Sequence, residues 1–259
     1  MLETLRSEWA AHGPLAVAFD GDGTLWTGDV AEAIWHAMID QRLVRIDARA
    51  ALVHEAELLK LPIDADLHAL CNRLFQAYRD GVLGEERICE IQAWAFAGWS
   101  RPEVDSFVDR VLFEPSASER AVGALPWAER TIPESAAILA EARAVGAPVY
   151  LVTASPKHVA ERAAAGLGIA PHEVLGSRSL WRDERMLADV ERPICYGPGK
   201  VAALERVLEG RPLLAAFGDN VFDVPMLHHA RFGVMVRPKP RLLATPDSAG
   251  FYRLAQAAP

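Results

Sequence analysis

The apolar run at residues 15–19 ends abruptly in Asp20-Gly21-Asp22-Gly23-Thr24, the pattern of a buried strand that delivers polar side chains to a turn. Beyond Val30 the period changes. Apolar residues recur three and four apart over 30–43, 48–59, 64–78, 85–99 and 102–113, which predicts helix after helix, and no convincing strand, to about residue 125. Strand and helix then alternate. The pattern predicts helix 133–145, strand 148–152, helix 156–167, a short strand 173–176, helix 200–208, strand 213–217, helix 222–230 and strand 233–236. That is the cadence of a parallel sheet wrapped by helices. The polar stretch 177–197 holds a candidate hairpin, 179–182 with 186–190, around Asp183-Glu184-Arg185, and the proline-rich tail after Pro238 is expected to be irregular.

The predicted fold class is therefore α/β, a parallel-sheet core with an all-helical cap domain inserted after the first strand. The expected division is 1–27 and 128–259 for the core and 28–127 for the cap. An insertion there sits outside the carboxyl edge of the strands, where open parallel sheets bind ligands.

Three polar sites each follow an apolar strand: Asp20 with Asp22, Thr153 with Ser155, and Asp219 with Asp223. In a parallel sheet all strand ends of one polarity share an edge, so these side chains converge there, with Lys200 adding a cation from a helix start. Such an arrangement suits phosphoryl transfer, in which charge must be neutralised on the equatorial oxygens. A hard cation such as Mg²⁺ takes octahedral oxygen ligands; Asp20 and Asp219 are the candidate metal ligands, with Asp223 in or just behind that shell. Ser155-Pro156 fits an N-cap and first helical position beside the phosphate. Thr153 and Lys200 would contact the phosphate, and Gly23 would let backbone approach closely.

Phe19-Asp20-Gly21-Asp22-Gly23-Thr24, Leu151-Val152-Thr153-Ala154-Ser155, Lys200 and Gly218-Asp219-Asn220-Val221-Phe222-Asp223 resemble the four motifs of the haloacid dehalogenase superfamily. The large helical insertion and Thr153-Ala154-Ser155-Pro156 are similar to its phosphoserine phosphatase-like branch. The resemblance implies a Rossmann-like core, Mg²⁺ and an aspartyl-phosphate intermediate. By position, Asp20 is then the nucleophile, and Asp22 the general acid and later base whose backbone carbonyl also reaches the metal. Ala154 and Ser155 fall in the phosphate cradle. The second aspartate of the first motif separates such phosphatases from the dehalogenases, which lack it. Two departures stand out: Asn220 and Phe222 replace a Gly and an Asn of the phosphoserine phosphatase fourth motif, and Asp29 stands where those enzymes carry a Glu that contacts the substrate amine. Asp29 either does the same or caps the helix beginning at Val30.

Composition narrows the partners. The 259 residues are 51% hydrophobic and 24% charged, with a net charge of −8, and no basic stripe suits a nucleic-acid backbone. No apolar run approaches the ~20 residues that span a bilayer. The segment 1–11 carries Glu3 and Glu8 rather than a signal-peptide core, so a cytoplasmic protein is expected. Cys71, Cys89 and Cys195 lack zinc-site spacing and read as reduced, buried thiols. Gly197-Pro198-Gly199-Lys200 is no P-loop, because Ile194 and Val201 stand where Gly and Ser or Thr are required. Of seven tryptophans, Trp26, Trp94 and Trp99 are candidates to line the cleft and the rest read as core packing. The expected activity is hydrolysis of a small-molecule phosphomonoester. A phosphotransferase or mutase, or an idle phospho-ligand-binding protein, are the alternatives; oligomeric state carries no signal.

Overall fold

The computed structural model describes residues 1–114 and 126–255; the predicted helical stretch at 115–125 and the last four residues of the tail lie outside them. Six parallel strands form one sheet in the order β3-β2-β1-β6-β7-β8, from β1 (Ala16–Phe19), β2 (Val149–Pro156), β3 (Val174–Ser177), β6 (Leu213–Gly218), β7 (Phe232–Met235) and β8 (Tyr252–Arg253). Every residue of β1 is buried, because the strand is covered on both faces. Val17 and Phe19 point into one apolar core and Ala16 and Ala18 into a second, the two-sided burial that makes central parallel strands continuous hydrophobic runs. The Phe19 and Phe217 rings of neighbouring strands stack at 4.4 Å.

Register sets the functional edge. Phe19 pairs with both Leu151 and Phe217, so Asp20, Thr153 and Asp219 emerge within two residues of one line across the sheet. The polar residues that interrupt three separate apolar runs are thereby neighbours.

Between β1 and β2 come α2 (Val30–Asp40), α3 (Arg49–Leu58), α4 (Leu67–Arg79), α5 (Glu85–Trp94) and α6 (Arg101–Phe113). Their apolar faces, including Ile34, Met38, Leu52, Leu74, Ile91 and Val108, merge with the larger core. The starts of α2, α4 and α6 are fixed by side chains, as expected of residues that cap unpaired N–H groups. Asp29 accepts from Glu32 N at 2.8 Å, Asp66 accepts from His68 N at 3.0 Å, and Glu103 accepts from the Ser100 N–H at 2.7 Å. Ion pairs Arg162–Asp109 and Arg101–Glu161 join α6 to α8 (Lys157–Ala164).

The predicted helix 85–99 ends early, at Trp94. Residues beyond it pair with a hairpin instead: Gly98 N donates to Met186 O at 2.8 Å and Met186 N to Trp99 O at 2.9 Å. That hairpin, β4 (Ser179–Arg182) with β5 (Arg185–Val190), is the one expected from the sequence. Asp183 and Glu184 both have positive φ, 47° and 60°, as a two-residue hairpin loop demands. After α7 (Pro133–Ala144) and α9 (Pro198–Leu208), a 3₁₀ turn (Val221–Asp223) leads into α10 (Val224–His229).

The tail is not irregular. It forms α11 (Pro240–Leu243) and β8, which pairs with β7 through Val234–Tyr252 and Met235–Arg253; the fully buried Leu242 anchors it to the smaller core. At the other end, α1 (Leu2–His12) seats Leu5 and Trp9 in the larger core. No helix among the described residues is long and apolar enough to cross a membrane.

Candidate active site

Asp20 is the first residue past β1, 7% exposed, its N–H donating to Phe217 O at 2.8 Å. The neighbouring strand thus carries the backbone that aims its carboxylate. Lys200, in the first turn of α9 and 3% exposed, donates from Nζ to Asp20 Oδ1 and to Asp223 Oδ1, both at 2.5 Å. The start of α9 is placed by Gly199, where a Cβ would lie 1.8 Å from Ile194 O; no other residue allows that approach.

Asp223 uses its second oxygen as well. Its Oδ2 accepts from the N–H groups of Asp219 at 3.0 Å and Asn220 at 2.9 Å, which fixes the turn after β6. Asp219 follows β6 directly. Its Oδ2 is 2.9 Å from Lys239 Nζ, whereas its Oδ1 is buried without a hydrogen-bond partner. Gly23 has φ +85° and a Cβ there would sit 2.1 Å from Asp219 Oδ2, so the first turn and the fourth motif interlock at a glycine.

One carboxylate oxygen from each of Asp20, Asp219 and Asp223 fall within 4.8 Å of one another. Such crowding of buried anions has an electrostatic signature. Burial first, then the Asp223 charge, raises Asp20 above the carboxylate range against the opposing pull of Lys200. Asp219 is raised by burial and by Asp20, against Lys239. Burial works against the Lys200 charge, yet Asp20 and Asp223 outweigh it and raise the ammonium's pKa. An all-oxygen donor set and an orphaned buried oxygen on Asp219 are what a hard divalent cation requires. The residues fit the group that the sequence led us to expect.

Asp22 is turned differently. Its Oδ1 accepts from Trp26 Nε1 and from the Val30 N–H, each at 2.7 Å, and its Oδ2 from Ser155 Oγ at 2.8 Å. Desolvation, then the Asp29 charge, pushes Asp22 up to about 7 in spite of these three donors.

Ser155 is not an N-cap. Strand β2 continues through Pro156, which is itself the residue before α8, and the Ser155 hydroxyl is taken by Asp22. Thr153 Oγ1 accepts from Ser155 N at 3.1 Å, closing the turn. Thr153, Ala154, Ser155 and Asp29 all line the small cavity of 80 Å³ over the carboxylates. The Asp29 side chain caps α2, as the blander of its two readings required, and stands at the same wall. Trp26 is buried and bonds Asp22, but Trp94 and Trp99 do not reach the cleft. They pack under Arg87 at 4.5 Å and Arg45 at 4.8 Å.

Five wall residues escaped the sequence reading. Glu85, Cys89 and Gln92 lie at i, i+4 and i+7 on α5 and face the carboxylates with Tyr196 opposite; the spacing alone was a signal. Lys239 was legible by the same edge rule that found the others, since it follows β7. A larger cavity of 420 Å³, lined by Leu175, Ile194 and Val207 among others, has no residue of the four motifs on its wall, although Gly199, the neighbour of Lys200, lies there. Burial raises Cys89 well above its ordinary value and Cys195 to about 12, and all three cysteines are free.

Residues 17–228 match the haloacid dehalogenase-like hydrolase family. Among the curated proteins no match is found. Solved structures with a similar fold include a protein of unknown function from Bordetella pertussis Tohama I, 21% identical with a TM-score of 0.67, covering 93% of this chain and 97% of that one. A phosphoserine phosphohydrolase-like protein from Francisella tularensis subsp. tularensis SCHU S4 is 11% identical, TM-score 0.55, with 93% and 95% covered. A substrate-bound phosphoserine phosphatase complex is 16% identical, TM-score 0.51, with 87% of each chain covered. With the family matched across most of its length, and the fold shared with phosphoserine phosphatase-like structures, the chain belongs to the haloacid dehalogenase-like hydrolases.

Proposed function

We propose that the protein is a phosphatase of small phosphomonoesters that works in two displacements at Asp20. The observation that carries the reading is a carboxylate at the end of β1, held on one oxygen by Lys200, beside a second carboxyl, Asp22, whose proton affinity lies near neutrality. In the first displacement a carboxylate oxygen of Asp20 bonds to phosphorus as the bond to the leaving oxygen breaks, and Asp22 gives its proton to that oxygen. In the second, Asp22 takes a proton from the water that attacks phosphorus, and Asp20 is released.

Thr153 and Lys200 hold the phosphate oxygens. Asp20, Asp219 and the backbone carbonyl of Asp22 would hold Mg²⁺, with Asp223 behind them, since both its oxygens are already bonded. When bound, the cation neutralises charge that would otherwise repel a dianionic phosphate from a carboxylate. On this reading residues 1–27 and 128–259 are the catalytic core and 28–127 the cap, whose α5 wall selects the leaving group. Asp29, which caps α2, contributes there from the cavity wall.

The test is release of phosphate from p-nitrophenyl phosphate, lost on chelation and in Asp20→Asn. Two in-line displacements retain configuration at a chiral phosphate. An inverted product, or full activity in Asp20→Asn, would refute the assignment.

A further inference from the structure

Asp219 is held asymmetrically. Lys239 Nζ occupies Oδ2 at 2.9 Å and Oδ1 is buried without a partner. The lysine arrives on a stiff loop. Its own N–H donates to the Asp219 carbonyl at 2.8 Å, Pro238 and Pro240 flank it, and α11 begins at the second proline; each proline ring fixes a backbone torsion. Gly23 packs against the same oxygen, with space for no Cβ beside Oδ2. The carboxylate is boxed in so that one oxygen faces an ammonium and the other is free.

The remaining carboxylates of the cup are restricted in the same manner. Lys200 takes one oxygen of Asp20, and Asp223 has both engaged. Asp20 and Asp219 therefore offer one oxygen each, and Asp223 none that is not already bonded. That matters for cation choice, because Mg²⁺ demands a compact octahedron and keeps its waters, whereas Ca²⁺ takes six to eight oxygens and gains from carboxylates that bind through both.

We propose that Lys239 is a positioning residue that keeps Asp219 a one-oxygen ligand and so gives the site its preference for Mg²⁺ over Ca²⁺. The inference rests on the metal-dependent reading above. Freed of Lys239, Asp219 can turn both oxygens toward a larger ion.

The experiment is calorimetric titration of the full chain, without substrate, with MgCl₂ and CaCl₂ separately. In Lys239→Met the ratio of the Ca²⁺ to the Mg²⁺ dissociation constant is expected to fall about tenfold, within the range seen when partners of metal ligands are removed. Lys239→Arg, which keeps the cation, restores the ratio. A fall of less than about threefold, or equal shifts for both metals, overturns the proposal while leaving the phosphatase reading intact. Wild-type protein that binds neither ion overturns both. Lys239→Gln serves as the second variant if circular dichroism shows Lys239→Met to be unfolded.

Discussion

Removing the cation between two buried anions is the sharpest test of the site's electrostatics. In Lys200→Met the apolar bulk of the stem is kept and only the charge is lost. Each contact is worth several kcal/mol by Coulomb's law at an effective dielectric of about 20, but desolvation of the lysine offsets part of that. Breaking a buried pair costs about 3–5 kcal/mol because the partner is left uncompensated, and here two partners are left. At about 2–4 °C per kcal/mol for a chain of this size, the melting temperature falls by roughly 6–20 °C. The loss depends on pH. Asp20 is already raised above the ordinary carboxylate range against the pull of Lys200, and without Lys200 it rises further in the folded protein. A group raised on folding contributes stability below its unfolded value, near 4, and that contribution is lost as pH climbs through the folded value. The gap between wild type and variant therefore widens from pH 5 to pH 8. Thermal melts in chelator at both values measure it. A gap of under about 1 kcal/mol at pH 8, or one equal at both pH values, would show that Asp20 and Asp223 do not depend on this lysine for charge balance.

Gly23→Ala forces a side chain to φ +85° and onto Asp219 Oδ2, so a stability loss of at least about 1–2 kcal/mol and weaker Mg²⁺ binding are expected, read by melts and calorimetry. Trp26→Phe removes a donor to the Asp22 carboxylate, a bond worth about 1.5–3 kcal/mol. The alkaline limb of kcat with a poorly leaving alkyl phosphate moves up by roughly 1–2 pH units, and an unmoved limb would exclude Asp22 as the proton donor. His158 is buried against Phe96, and burial, aided by Arg101, lowers it to about 3. The unfolded chain takes up its proton near pH 6.5, so stability drains away as pH falls from there toward 3. His158→Phe flattens that decline by up to about 4 kcal/mol in acid melts.

The strand-end residues were legible because a parallel sheet converts one-dimensional punctuation into a shared edge. Asp20, Thr153 and Asp219 needed only the apolar runs before them and the rule that parallel strands end together. Ser155 was misread because Ser-Pro before a helical pattern looks like a cap, and nothing local reveals that a carboxylate 133 residues away claims the hydroxyl. The helix expected over 85–99 failed at Ala95 for a related reason: residues 98 and 99 pair with β5, a contact between distant segments that outweighs local periodicity. Strand β8 has two residues, too few for any alternation to register. The polar stripe of α5 was visible as spacing, but its direction toward the carboxylates depends on how the helix sits over the sheet.

The N–H of Val30 is among the first of α2 and so has no partner within its own helix; it serves Asp22 instead, at 2.7 Å. The Asp22 carboxyl, the proton donor on the proposed reading, is thus held from both sides of the entrance, one bond coming from the first turn of α2. Tilting α2 would lengthen the bond and tighten the acid's hold on its proton, so on that reading delivery to the departing alcohol would depend on how well α2 is seated. Loosening the seat by Asp29→Ala, at the wall of the same cavity, should therefore register in the pH profile of turnover and not in substrate affinity alone.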